Sequence, residues 1–229
     1  MKIVNPYYRL VVFAGPNGSG KSTITKTFFK RNLLPETYIN PDDIAKEINP
    51  NDVWGERITA GKKAVELRDS CLKSRKSFSM ETTLSGFSEI TAINKAIEFG
   101  YKVTVVYIAI DGEYENVGRV KNRVNKGGHN IKTVDILRRR RRSFKNLSKI
   151  IDIVHRMIII DNTQQPKTIL KKNNNKITFV SSVLPEWFSS SFSSKKINGY
   201  RLEAYSRHNC ENDQNNEVSI LKPQKSTRR

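Results

Sequence analysis

The chain is short of cysteine, histidine, acidic residues and long apolar runs, and each shortage removes a class of protein. Cys71 and Cys210 are the only cysteines and form no C-x-x-C pair. That excludes a disulfide framework and a zinc knuckle, and fits a reducing compartment. The longest uncharged apolar stretches, 103–110 and 157–160, have strand length and fall far below the roughly 20 residues that cross a bilayer. The first residues lack the charged, apolar and small-residue order of a secretion signal, so the expected location is cytoplasmic, with no membrane partner. Asp and Glu number 22 against 41 Lys and Arg, a net charge of +19. Three readings of that excess compete: phosphates of a nucleic acid, small polyanions such as nucleotides and nucleotide sugars, or a solvated bias toward Lys and Asn. The run Lys-Lys-Asn-Asn-Asn-Lys at 171–176 fits the third. No RNA-binding signature or helix-turn-helix pattern accompanies the charge, so nucleic acid is not the favoured partner.

What is present is concentrated near the N-terminus. Gly15, Pro16, Asn17, Gly18, Ser19, Gly20, Lys21, Ser22 and Thr23 fit the phosphate-loop pattern G-x-x-x-x-G-K-[ST]. Residues 10–14 before the loop form a β-branched apolar run, and 23–30 after it read as a helix with Ile24 and Phe28 facing the core and Phe29 beside them. In this strand–loop–helix context backbone N–H groups wrap a phosphate, and glycines let the backbone approach it. Lys21 then bridges the β- and γ-phosphates, and Ser22 holds Mg²⁺. The motif specifies ATP-like nucleotide and Mg²⁺ without saying where the γ-phosphate goes.

The rest alternates between strand and helix patterns. Strands are expected at 37–40, 77–81, 103–110, 156–161 and 177–180, and helices at 41–48, 54–76, 87–99 and 131–151. In the 54–76 helix the apolar stripe is Trp54, Ile58, Val65 and Leu72, widened by Ala64, Leu67 and Cys71. This is the pattern of an α/β fold, a parallel sheet of about five strands with helices on both faces. The expected domain is 1–190. Residues 191–229 are Ser-, Lys- and Asn-rich with few apolar positions and read as a basic, disordered tail.

Ligands of such sheets sit at the C-terminal strand edge. Asp42 and Asp43 follow the second strand there, and either can be a general base or a helix N-cap. Glu81, Thr82 and Thr83 end the third strand, suited to a polyhydroxylated substrate or the water shell of Mg²⁺, or to plain capping. Arg119 and Arg123 share a helix face, and Arg138 to Arg142 form an unbroken run. A helix cannot aim five consecutive side chains one way, so one or two enter a site and stabilise phosphoryl charge. His129 lies in a glycine-rich loop, and Asp161-Asn162 can rim an adenine pocket or form a turn. An ABC-type ATPase shares the phosphate loop, and Leu84-Ser-Gly-Phe87 mimics the start of its signature. Leu84 lies too near the loop for that, however, and no apolar strand ending in Asp-Glu follows. A nucleotide-binding regulator is the other non-kinase alternative.

In order and spacing, Ala14 to Thr23, Asn40-Pro-Asp-Asp-Ile-Ala45, Glu81-Thr-Thr-Leu-Ser85, Arg119-Val-Lys-Asn-Arg-Val124 with Gly127-Gly-His129, Arg142-Ser-Phe-Lys-Asn-Leu147 and Asp161-Asn162 resemble the zeta toxin family over residues 9 to 190. The resemblance implies a P-loop kinase fold that uses ATP and Mg²⁺. It implies UDP-N-acetylglucosamine, phosphorylated at the 3′-hydroxyl of the sugar, as acceptor, and an epsilon-type antitoxin as partner. By position Asp42 matches the general base, Glu81 and Thr83 the substrate contacts, and Arg119 or Arg123 one phosphate-stabilising arginine. The family's second such arginine falls near Gly127-Gly-His129, so His129 or an arginine of the 138–142 run, Arg142 among them, takes its place. Another acceptor, a different nucleotide sugar or a nucleic-acid end, is the alternative within the same fold.

Overall fold

The computed structural model describes residues 7–125, 127 and 130–208. Its centre is a seven-stranded sheet in the order β2-β3-β1-β4-β5-β6-β7. The strands are β1 (Arg9–Ala14), β2 (Thr37–Ile39), β3 (Phe78–Thr82), β4 (Lys102–Ala109), β5 (Arg156–Asp161), β6 (Lys167–Asn173) and β7 (Lys176–Val180). The first five are parallel, while β6 and β7 run antiparallel as a hairpin on the edge. The helices are α1 (Lys21–Lys30), α2 (Pro41–Ile48), α3 (Arg57–Lys73), α4 (Phe87–Glu98), α5 (Glu113–Val124), α6 (Thr133–Ile150), α7 (Glu186–Ser189) and α8 (Ser194–His208). None is long and apolar enough to cross a membrane among the described residues.

The central strands are apolar on both sides because both faces are covered. Leu10, Val12 and Ala14 of β1 join Val103, Val105 and Tyr107 of β4 in one cluster, closed by α3, α4, α6 and α8. Val11, Phe13, Val106 and Ile108 point to the other face and meet Ile24 and Phe28 of α1. This alternation is the strand period of two. A third cluster, Val117, Val120, Ile131 and Ile136, ties α5 to α6.

Three expectations change. The sheet has seven strands rather than about five, because residues leading into the Lys- and Asn-rich run form β6, which was not expected and which pairs as a hairpin with β7, the strand expected at 177–180. Asn174 and Asn175 form its turn with φ of 46° and 64°, a region asparagine tolerates better than most residues. Lys172 within it is buried and donates to the carbonyls of Ile151, Asp152 and Val154 at 2.7–2.9 Å, closing the C-terminal end of α6. The tail expected from 191 is helical over α8, whose Ile197, Tyr200 and Ala204 are buried in the main cluster. In α3, Ala60, Ala64, Cys71 and Leu72 are buried, whereas Ile58 and Val65 are exposed.

Candidate active site

Chain connections leave β1 toward β2 and β4 toward β5, so a crevice opens at the C-terminal edge between them. The loop from Gly15 to Gly20 fills it, and its shape is set by its neighbours. At Gly15 (φ 143°) a Cβ would sit 1.9 Å from the Ile108 carbonyl oxygen of β4, and at Gly20 (φ 90°) 2.3 Å from Asn162 Nδ2. Asn162 anchors itself by its N–H to the Ala109 carbonyl at 2.8 Å, and its side chain donates to the Ser19 carbonyl at 2.8 Å. From the other side the fully buried Asn116 donates to the Asn17 carbonyl at 2.7 Å. Arg140 in turn donates its Nε to Asn116 Oδ1 at 2.9 Å and its Nη2 to the Ile110 carbonyl at 3.0 Å, with its guanidinium over the Phe144 ring. The loop is thus braced by β4, α5, α6 and the end of β5.

Lys21 opens α1 and is buried, its ammonium donating to the Pro16 carbonyl at 3.0 Å. Burial pulls its pKa below the usual lysine value, Glu81 and then Asp42 pull it back up, and Arg123 lowers it further. Glu81, at the end of β3, accepts from Ser22 Oγ at 2.8 Å, from Tyr38 OH at 3.0 Å and more loosely from Thr25 Oγ1 at 3.4 Å. Burial first and Glu81 second push the Tyr38 phenol far upward, so it stays a donor.

The two aspartates separate. Asn40 is the N-cap of α2 and accepts from the Asp42 N–H at 3.1 Å, while its own amide donates to Asp43 Oδ2 at 2.9 Å. Capping therefore falls to Asn40, and Asp43 is held by it. Asp42 lines the cleft.

That cleft has a volume of about 690 Å³. Asn17, Gly18, Gly20, Lys21, Ser22, Thr23, Asp42, Glu81, Thr83, Arg119 and Arg123 line it, with Trp54, Ile58 and Val65 as an apolar wall. The Arg57 guanidinium lies 4.3 Å above the Trp54 ring. Thr83 and Ser85 share a hydroxyl–hydroxyl bond of 2.8 Å. Arg119 is fixed by the carbonyls of Asn162 at 3.0 Å and Thr163 at 2.6 Å. Asn162 acts as a brace of the loop and is not a lining residue.

Arg142 does not line the cleft, contrary to expectation; it is exposed, and Arg139 lines the cleft instead. The buried Ser143 marks the inward direction of α6. At about 100° per residue, Arg139 and Arg140 lie within about 60° of it and Arg142 about 100° away. His129 lies outside the described residues. Sequence reading missed Asn116 and Tyr38, and it left open which arginine of the 138–142 run turns inward. An asparagine three residues into a helix and a tyrosine in a short strand carry no motif.

Two groups can be tested for fit. The buried Ser19 Oγ has no hydrogen-bond partner in the loop, and a hydroxyl there can donate to a phosphate oxygen. Among the described residues no group of three or more His, Cys, Asp or Glu side chains could hold a metal. The Ser22 hydroxyl beside the Glu81 carboxylate instead fits Mg²⁺, which takes one or two protein oxygens and completes its shell with water and phosphate.

No protein-family model matches the chain. An uncharacterized protein of Haemophilus influenzae is 39% identical over 121 residues, 53% of this chain and 84% of that one. The chain belongs to the same family as that Haemophilus protein. The solved structure of the PezAT chromosomal toxin-antitoxin system of Streptococcus pneumoniae superposes with a TM-score of 0.55 at 15% identity, over 91% of this chain and 88% of that one. AvrRxo1-ORF1:-ORF2 with ATP gives a TM-score of 0.60 at 11% identity, over 89% and 77%. At these identities the likeness is one of fold, and the fold is α/β and P-loop kinase-like.

Proposed function

We propose that the chain is an ATP- and Mg²⁺-dependent phosphotransferase of zeta toxin type, moving the γ-phosphoryl group to a sugar hydroxyl of UDP-N-acetylglucosamine or a related nucleotide sugar. One observation carries this reading: Lys21, the Ser22–Glu81 pair and Asp42 all front one cleft of about 690 Å³, lined also by Trp54, Ile58 and Val65, which leaves room for a second substrate. Lys21 and the loop amides hold the β- and γ-phosphates. Bound at Ser22 and Glu81, Mg²⁺ supplies charge neutralisation of those phosphates. Asp42 accepts the proton of the attacking hydroxyl as its oxygen bonds to the γ-phosphorus and the bond to the ADP oxygen breaks. Arg119 and Arg123 compensate the negative charge on the moving group. Thr83 hydrogen-bonds the sugar, and Trp54, Ile58 and Val65 cover its apolar face. His129 sits in the segment that follows Arg123 in the chain and belongs to the substrate side of this reading. The fold likeness to a toxin–antitoxin system supports the further proposal that the chain is a toxin, restrained in the cytoplasm by an antitoxin protein.

The test is direct. The protein is incubated with ATP, Mg²⁺ and UDP-N-acetylglucosamine, and the nucleotide sugar is examined by mass spectrometry. One added phosphoryl group is expected, absent without Mg²⁺ and absent with Lys21→Ala. An unmodified sugar with ATP bound normally overturns this acceptor. Transfer to a 5′-hydroxyl oligonucleotide, with affinity falling steeply in salt, would assign the charge of +19 to nucleic acid instead.

A further inference from the structure

We propose that Arg68 of α3 is the anchor for a phosphate of the acceptor substrate, a specificity-determining residue on the wall of the cleft separate from the ATP-binding loop. This rests on the kinase reading above and names what the second substrate must carry. Arg68 lines the cleft and is 7% exposed, on the same buried side of α3 as Ala64, Cys71 and Leu72. The pattern of that face calls for an apolar residue, and a guanidinium stands there instead. Its Nε is buried without a hydrogen-bond partner.

The nearby carboxylates do not satisfy it. Glu89 attracts it electrostatically, but the Glu89 oxygens are used at the start of α4. They accept from Thr82 Oγ1 at 3.1 Å and Ser88 Oγ at 3.2 Å. Glu89 Oε2 folds over Gly86, where a Cβ would lie 2.6 Å from it. Asp69, the other attracting group, is the next residue of the same helix and points about 100° away. Neither is in ion-pair contact with Arg68 among the described residues.

Arg68 also stands apart from the ATP machinery. The charges that act on Lys21 are Glu81, Asp42 and Arg123, and those that act on Arg68 are Glu89 and Asp69. Along α3 the approach is open, since a Cβ at Gly61, another lining residue, would meet nothing within 4 Å. A largely buried guanidinium whose Nε lacks a hydrogen-bond partner is unfavourable in the free protein. It is relieved when a ligand brings the opposite charge, and the planar guanidinium fork matches two phosphate oxygens at once.

The experiment uses the full chain, its loop saturated with Mg²⁺ and a non-hydrolysable ATP analogue. Calorimetry then measures binding of UDP-N-acetylglucosamine, inorganic pyrophosphate and phosphate-free N-acetylglucosamine to wild type, Arg68→Met and Arg68→Lys. Wild type should bind the two phosphate-bearing probes well above the neutral sugar. Arg68→Met should weaken them about 10- to 100-fold and Arg68→Lys less. Affinity for the ATP analogue should stay within about twofold, and the melting temperature of ligand-free Arg68→Met should equal or exceed that of wild type. Probe affinity unchanged by Arg68→Met overturns the proposal, as does failure of analogue-saturated wild type to bind either phosphate probe. A fall in melting temperature with equal losses for analogue and probes assigns Arg68 a structural role and also overturns it. If wild type fails to bind the ATP analogue, the kinase reading falls first and takes this one with it.

Discussion

Replacing Asn116 by alanine removes the strut that joins α5 and α6 to the phosphate loop. Its amide lies fully buried between the Asn17 carbonyl, to which it donates at 2.7 Å, and Arg140 Nε, from which it accepts at 2.9 Å. Alanine leaves both groups without that partner. A buried polar group left unsatisfied costs about 1–3 kcal/mol. Arg140 keeps the Ile110 carbonyl and is half-buried, so its share lies at the low end and the total comes to about 2–4 kcal/mol. For a domain of this size each kcal/mol moves the melting temperature by about 2–4 °C, so a fall of about 4–16 °C is expected. The freed carbonyl also loosens the loop, and ATP affinity should fall about tenfold. Asn116→Asp refines the test, because a carboxylate still accepts from Arg140 but repels the Asn17 carbonyl. It should lose ATP affinity with a smaller loss of stability. Thermal denaturation and calorimetry with Mg²⁺–ATP read both effects. A melting temperature within about 2 °C of wild type and unchanged ATP affinity in Asn116→Ala would show that the loop holds its shape without this brace.

Other outcomes follow from the same geometry. Glu81→Gln should weaken ATP binding about 10-fold or more in Mg²⁺ and little in its absence; equal effects in both conditions would remove Glu81 from the metal site. Lys21→Met should abolish ATP binding while raising the stability of the ligand-free protein at neutral pH. The folded-state pKa of Lys21 lies below the usual 10.5. Between the two values the unfolded chain binds more protons, and wild-type stability gains with rising pH. The stability gap between variant and wild type should therefore narrow as pH climbs toward 10.5, and a pH-independent gap would contradict a buried charged Lys21. Ending the chain after Ser193 exposes the surface under Ile197, Tyr200 and Ala204. At about 1–2 kcal/mol per side chain the cost is about 3–6 kcal/mol, a large part of a typical total. Urea denaturation should show that loss, and an unchanged midpoint would make α8 dispensable.

Local chemistry was readable in the sequence; chemistry that depends on distant neighbours was not. The phosphate loop, the proline and acids that open α2, and the apolar strands β1, β4 and β5 announce themselves within a few residues. Residue type alone left Asp42 and Asp43 equivalent and only the family resemblance separated them, whereas the contacts that part them, Asn40 taking both the cap and Asp43, arise in the folded chain. β6 was hidden by lysines that strands normally disfavour; Lys172 is tolerated because three carbonyls at the end of α6 receive its ammonium. In α8 the helical spacing of Ile197, Tyr200 and Ala204 was present but diluted by Ser, Lys and Asn. Ile58 and Val65, expected on the buried stripe, are exposed and line the cleft, and Trp54, in the turn before α3, lines it while packing against the Val117–Ile136 cluster. An apolar stripe looks the same in sequence whether a sheet or a cleft lies over it.

Asp42→Asn offers the most direct test, with transfer of the γ-phosphoryl group from ATP followed beside ATP affinity in the same preparations. A carboxylate that takes the acceptor's proton contributes about 10²- to 10⁴-fold. Transfer should therefore fall by at least about 100-fold while ATP binds within about twofold of wild type. Near-normal transfer by Asp42→Asn would contradict the assignment of the base and the chemistry built on it.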